Sequence, residues 1–306
     1  MATRGRLPVY LKYAGAHTLR WSGGDRVNWQ NFRRGGRIRK TILAPDGCSL
    51  VVADAKQIEC RLLNCWAGQT DIVETFRRGE DPYIRNAQLV YGNRPVTPAE
   101  RGTGKQLELS CGYGAGAATI QKTARLGIYG PPVLITLDEA KRWRDIYRQT
   151  HPYVVNLWKE ADSILARLNK VESFDWRGLK ILCGDSHKRI GLPNELYLIY
   201  DTLAWDQNEW RIRTRRGGSV KMYGAKLIEN IIQYMARIYI AQTMLWIRKA
   251  GIKIALMTHD EIVAVVPAGK AELAREFMVK AFARVPDWMP DLPLDVETMI
   301  SQRYEK

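Results

Sequence analysis

Two carboxylates stand where apolar, strand-like runs end. Asp54 follows Leu50-Val-Val-Ala, and Asp260 falls between the runs Lys253-Ile-Ala-Leu-Met257 and Ile262-Val-Ala-Val-Val266. An ionised carboxylate beside buried strands is costly unless a cation compensates it. Two such groups brought together repel each other, so the pattern suggests a divalent metal held by both. The plainer role for either aspartate is to cap a turn. A second set is Arg101, Lys105, Leu109 and Tyr113, which recur every four residues and would share one broad face of a helix. Two cations followed by an apolar and an aromatic group can clamp a triphosphate at one end and cover a base or sugar at the other. A solvated basic turn on an amphipathic helix competes with that reading. Glycine at 102, 104, 112, 114 and 116 weighs against it. So many glycines destabilise a purely structural helix and suit one that must move or let a ligand approach closely.

The elements that would position these residues can be read from periodicity and end signals. Ser49 to Ala53 suits a central strand, and Gln57 to Trp66 has helical spacing with Ile58, Leu62 and Cys65 on one side. Residues 68–166 read as mostly helical. Thr70 and Asp71 open one helix, Thr97-Pro98-Ala99-Glu100 opens another, and Thr136-Leu137-Asp138-Glu139 has the capping-box pattern. Residues 188–226 read as strands and turns carrying Arg211, Arg213, Arg215, Arg216, Lys221 and Lys226. A long helix follows over 224–250, and the two runs around His259-Asp260 form a β-hairpin. Composition and periodicity support an α+β layout with a helical insertion between the first and last strands.

The chain has 306 residues, 46% of them hydrophobic, enough for a sizeable core. Its net charge of +15 favours a polyanionic partner, and the first forty residues set ten basic side chains against a single acid, Asp25. The five cysteines form no CxxC pair, which removes a zinc cluster and leans toward a reducing compartment. No apolar signal core follows Met1. The apolar stretch Leu227 to Ile247 contains Glu229, Asn230, Gln233, Arg237 and Gln242, so it reads as a buried helix with polar positions and not as a membrane span.

Taken together these motifs resemble those of the family A DNA polymerases, in the phage type. Asp54-Ala-Lys-Gln-Ile-Glu-Cys-Arg61 resembles the first palm motif, Asp-Tyr-Ser-Gln-Ile-Glu-Leu-Arg, and His259-Asp-Glu-Ile-Val263 resembles the last, His-Asp-Glu-Leu-Val. Between them, Arg101 to Gly114 is similar to the fingers-helix motif. Upstream, Arg20-Trp-Ser-Gly-Gly with Asn28-Trp-Gln-Asn31 resembles the primer-template segment. The order agrees, and the resemblance runs from about residue 17 onward. It implies a right-hand palm with an antiparallel sheet and a helical fingers insertion. Segments 1–67 and 167–306 would form the basic arm and palm, and 68–166 the fingers. The implied activity is template-directed DNA synthesis from dNTPs. Two Mg²⁺ ions would be held by Asp54, Asp260 and the carbonyl of Ala55, with Glu261 beside them and His259 fixing the turn. Arg101, Lys105, Leu109 and Tyr113 would hold the nucleotide, with Glu59 as a steric gate against ribose and Tyr83 near the phosphates. Arg20, Asn28, Gln30, Asn31, Gln233 and His259 would contact primer and template. Plainer roles stand beside two of these: Glu is ordinary at a helix start, and Gln233 suits a satisfied core position.

Departures from the family pattern are also present. Tyr and Ser of the first motif are Ala55 and Lys56, and the fingers-helix aromatic and following glycine are Leu109 and Ser110. Thumb and exonuclease domains, which the family places before the palm, are expected to be absent from this chain. Either the chain is a fragment or, as the favoured expectation, it belongs to a split viral polymerase working in the cytoplasm of an infected host, with a separate chain supplying those parts. Two alternatives stay open. A phage-type RNA polymerase is opposed by Glu59, since ribonucleotides need a small residue there. A degenerate palm that only binds nucleic acid is opposed by the retention of both aspartates, Arg101 and Lys105.

Overall fold

The computed structural model describes residues 8–24, 28–32, 35–170, 172–191, 196–214 and 217–305. Arg215 and Arg216 of the second basic cluster, and Asp25, lie outside them.

The basic arm holds strands β1 (Leu11–Lys12) and β2 (Ser22–Gly23), a 3-10 turn at Trp29–Asn31 and the short helix α1 (Arg37–Lys40). Strand β3 (Cys48–Ala55) follows, buried along nearly its whole length. The helical region comprises α2 (Ile58–Ala67), α3 (Thr70–Arg77), α4 (Pro82–Tyr91), α5 (Pro98–Gln106), a π-turn at Leu107–Cys111, α6 (Ala117–Leu126), α7 (Leu137–Thr150) and α8 (Pro152–Arg167). The sequence-predicted capping box at Thr136 is present, and the helix start at Thr97 carries one too: the Thr97 and Thr136 hydroxyls accept from the Glu100 and Glu139 amides, and both glutamates reach back.

Seven short strands come next: β4 (Phe174–Trp176), β5 (Leu179–Cys183), β6 (Lys188–Gly191), β7 (Tyr197–Ile199), β8 (Ala204–Asp206), β9 (Glu209–Arg213) and β10 (Ser219–Met222). They make two antiparallel sheets, β4-β5-β6-β7 and β10-β9-β8. The long helix α9 (Gly224–Lys249) leads to β11 (Lys253–Thr258), β12 (Glu261–Pro267), α10 (Ala271–Phe282) and β13 (Val296–Ser301). The observed strand region starts at 174, earlier than the sequence reading placed it.

The chain separates into two compact units. One comprises Met1–Ile58, Gln233–Pro290 and Leu294–Lys306; the other comprises Glu59–Ile232 with Asp291–Pro293. The first is built on the antiparallel sheet β11-β12-β3-β13. β3 reads as a continuous apolar run because it is central, paired on both edges and covered by α10. Leu50, Val52, Leu256, Val263 and Tyr304 form a core cluster there. The second unit packs the helices from α2 to α8 with both smaller sheets. Among the described residues, no helix is long and apolar enough to cross a membrane.

Candidate active site

In the first unit the sheet brings together carboxylates that lie far apart in sequence. Asp54, one residue from the end of β3 and buried, pairs in register with Glu261 on β12 and with Glu297 on β13. The Ala55 amide donates to the carbonyl of Asp260 at 3.1 Å, which ties the β11–β12 turn to the end of β3. Asp260 is half-buried in that turn, between the paired residues Thr258 and Glu261. His259 opens the turn in the left-handed region, at φ 55°, and is exposed. A two-residue hairpin loop needs positive φ at its first position, so His259 shapes the turn that presents Asp260.

Glu261 faces a different environment. It is buried, and its carboxylate accepts from the Arg39 guanidinium at 3.1 Å and from the Tyr304 hydroxyl. The guanidinium also lies 4.1 Å from the centre of the Tyr304 ring. Burial, followed by the charge of Glu261, pushes the Tyr304 hydroxyl well up from its ordinary value. Among the described residues no group of three or more His, Cys, Asp or Glu forms a metal-holding cluster. The donor set present is the aspartate pair with backbone carbonyls. Hard oxygen donors of that number fit Mg²⁺, which is commonly held by one or two carboxylates and keeps several waters.

Beside Asp260 lies a pocket lined by Arg20, Trp21 and Gln30 from the arm, Ala236, Arg237 and Ile240 from α9, and Met257, His259 and Asp260 from the hairpin. Asn28 caps the 3-10 turn by accepting from the Gln30 amide, and Gln30 is buried with its amide 3.7 Å from the sulfur of Met257. Asn31 is exposed and Gln233 half-buried, and neither lines the pocket. Arg237 is a functional candidate that the sequence reading noted only as a polar position. Its guanidinium lies 4.8 Å from the Tyr13 ring and 4.6 Å from that of Trp21, and it donates to the Leu19 carbonyl at 3.1 Å.

In the second unit the four-residue spacing of Arg101, Lys105, Leu109 and Tyr113 does produce one accessible face. All four are half-buried, while Gln106, Leu107, Glu108, Ser110 and Cys111 between them are buried. The element is not one α-helix, however: α5 gives way to the π-turn, and Tyr113 falls in the turn beyond it. Arg101 donates to Asp81 at 2.6 Å and lies 5.1 Å from the centre of the Tyr83 ring. Tyr83 itself is buried with Cys60, Ile72 and Phe76. Glu59, in the first turn of α2, accepts from the Tyr113 hydroxyl at 3.3 Å.

Gly102, Gly104 and Gly112 serve packing, whereas Gly116 has open space around its Cβ position. A Cβ on Gly104 would sit 1.7 Å from the Tyr83 carbonyl oxygen, and one on Gly112 would sit 2.3 Å from that of Glu108. Gly102 meets the backbone of Gly130. Gly104 lets α4 and α5 approach more closely than any side chain permits.

The sequence profile of DNA polymerase family A matches residues 4–306. The chain is 28% identical over 287 residues to the DNA polymerase of Bacillus phage SP02, covering 88% of this chain and 43% of that one. It is 27% identical to the thermostable DNA polymerase I of Thermus filiformis, covering 98% of this chain and 32% of the relative. The chain therefore spans less than half the length of these relatives. Its fold is shared with a solved structure described as the POL domain of Pol1 from M. smegmatis in complex with DNA primer-template and dNTP. The TM-score is 0.73 at 21% identity, covering 99% of this chain and 49% of that one.

Proposed function

Because the chain belongs to DNA polymerase family A, we propose that it carries out template-directed DNA synthesis, adding deoxynucleotides to a primer 3′-hydroxyl. The observation that carries this reading is the strand register: Asp54 lies opposite Glu261, and the Ala55 amide is bonded to the Asp260 carbonyl. Asp54, Asp260 and the Ala55 carbonyl would hold two Mg²⁺ ions. When bound, these supply a lowered pKa for the attacking hydroxyl and charge stabilisation for the departing pyrophosphate.

The remaining roles fall to the chain's own groups. Arg101 and Lys105 bind the triphosphate as charge-assisted donors, and the accessible flanks of Leu109 and Tyr113 cover the base and sugar. Glu59, held by Tyr113, occupies the space a ribose 2′-hydroxyl would need. The pocket beside Asp260, with Arg20, Gln30, Arg237 and His259, takes the primer strand and its phosphates. Asn28 shapes the arm through its cap, and Asn31 and Gln233 offer further amide contacts. Tyr83 acts beneath Arg101 as its packing platform, and Glu261 acts through Arg39. We assign the fingers to 68–166 and the arm and palm to 1–67 and 167–306. Grip on the duplex beyond these parts, from further chain or a partner protein, is proposed and not assigned.

The experiment is extension of a labelled primer on a DNA template at low salt with Mg²⁺ and dNTPs, by the unaltered chain and by Asp260→Asn. The expected result is extension by the former and none by the latter, with similar DNA affinity. Equal extension by both would overturn the reading.

A further inference from the structure

The second unit hides a carboxylate that the proposed reaction does not use. Glu108 lies in the π-turn and is 1% exposed. Its Oε1 accepts from Asn64 Nδ2 of α2 at 2.6 Å, and its Oε2 accepts from Asn86 Nδ2 of α4 at 2.8 Å. His151, at the junction of α7 and α8, places Nε2 3.6 Å from Oε2, and the Tyr147 ring stacks on the imidazole at 4.0 Å. Asn64 Oδ1, Asn86 Oδ1, Tyr147 Oη and His151 Nε2 are all buried without a hydrogen-bond partner.

Such a cluster is a poor way to stabilise a helical core. A buried carboxylate surrounded by neutral amides, with orphaned acceptors nearby, costs free energy that an apolar side chain of similar volume would avoid. What the cluster does provide is direction: one side chain is fixed from two helices at once. The backbone it fixes is unusual. A π-turn adds a residue to the helical repeat, is rarely stable without tertiary support, and concentrates at functional sites. Here it falls between Lys105 and Tyr113 and sets the angular offset between the cationic and aromatic ends of the accessible face.

We propose that Glu108 is a positioning residue that holds the π-turn in place, so that Lys105, Leu109 and Tyr113 meet one nucleotide together. The proposal rests on the reading of that face as the dNTP site. Glu108 does not touch the nucleotide; it acts through the backbone of residues 107–111, anchored by Asn64 and Asn86. Glutamine at 108 can keep the arrangement, because the Asn86 amide can turn its unpartnered oxygen toward the new donor while Asn64 keeps its bond to the Cys60 carbonyl. Leucine cannot.

The test compares Glu108→Leu, Glu108→Gln and Asn86→Leu in the full chain. Each is read as KM for dNTP and kcat in primer extension, and as equilibrium affinity for a dNTP on a dideoxy-terminated primer-template. Glu108→Leu should raise KM and the dissociation constant about tenfold with kcat changed less than about threefold, while Glu108→Gln stays within about threefold in all. Asn86→Leu, which removes one anchor and keeps the carboxylate, should fall between them. Asp260→Asn, losing synthesis but keeping nucleotide affinity, reports on the reaction itself. Failure of the polymerase reading therefore shows in that variant, whereas failure of this proposal shows as unchanged dNTP affinity in folded Glu108→Leu or Asn86→Leu protein. Equal losses in the leucine and glutamine variants would also overturn it.

Discussion

Arg39 and Glu261 form a buried ion pair at 3.1 Å across 222 residues of sequence, with 3% and 2% of their side chains exposed. The pair joins the basic arm to the hairpin that carries Asp260. Breaking it from one side strands a charge in the core. Arg39→Met should lower unfolding free energy by about 3–5 kcal/mol, and the double change Arg39→Met with Glu261→Gln should recover much of that loss. Urea denaturation of the three variants measures it. A loss below about 1 kcal/mol in the single variant would show that the pair is dispensable.

Glu59 and Tyr113 are hydrogen-bonded at 3.3 Å, so the proposed sugar gate is held by a residue of the proposed nucleotide face. Glu59→Ala should raise ribonucleotide incorporation relative to deoxynucleotide by roughly 10–100-fold, because the side chain that fills the 2′ position is gone. Tyr113→Phe, which leaves the carboxylate in place but removes its donor, should relax selectivity less. Single-nucleotide extension with matched rNTP and dNTP gives the ratio. Unchanged selectivity in Glu59→Ala would remove the gate assignment.

Two glycines should respond to alanine very differently. At Gly104 the new Cβ would meet the Tyr83 carbonyl at 1.7 Å and the Ala87 amide nitrogen at 2.8 Å, both backbone atoms that cannot step aside. Gly104→Ala is expected to cost about 1–3 kcal/mol or more through separation of α4 from α5. Gly116 has open space around its Cβ position and an ordinary negative φ of −79°, so Gly116→Ala should change stability by less than about 0.5 kcal/mol. Thermal melts of both variants make the comparison.

Burial holds the His151 imidazole below its ordinary value of 6.5, with the charge of Glu108 opposing the shift. The unfolded chain therefore binds a proton near pH 6.5 that the folded chain refuses. The contribution to stability is full above that pH and is lost progressively as pH falls toward the lowered folded value. The urea midpoint should decline between pH 7.5 and pH 5.5, and His151→Gln should flatten part of that decline. An identical slope in the variant would show that other groups govern it.

Much of this arrangement is legible in the sequence wherever the signal is local. The helix starts at Thr97 and Thr136, the central strand ending at Asp54 and the hairpin around Asp260 all follow from patterns spanning fewer than about ten residues. The four-residue recurrence of Arg101, Lys105, Leu109 and Tyr113 coincides with a row of half-buried positions. It misses the π-turn, because an extra residue in the helical repeat leaves no mark in a four-residue recurrence. Glu108 falls between the recurring positions and carries no signal of its own in that pattern. Arg39 disappears into a basic run that suggests solvent or a polyanion, since nothing near it announces a partner at position 261. Long-range polar pairs in the core leave no periodic trace.

The sheet that ties Asp54 to the Asp260 turn also dictates when the proposed catalytic centre can come into being. β3 is complete early in the chain, yet both of its neighbours, β12 and β13, lie more than 200 residues further on. During synthesis on a ribosome the strand must wait, its apolar faces uncovered, until the hairpin and the last strand emerge. The intervening helices, rich in local contacts, have no such dependence and can condense first. Connectivity then sets an order of assembly: the helices mature before the sheet does, and closing the long loop between Asp54 and Asp260 is the late, slow event.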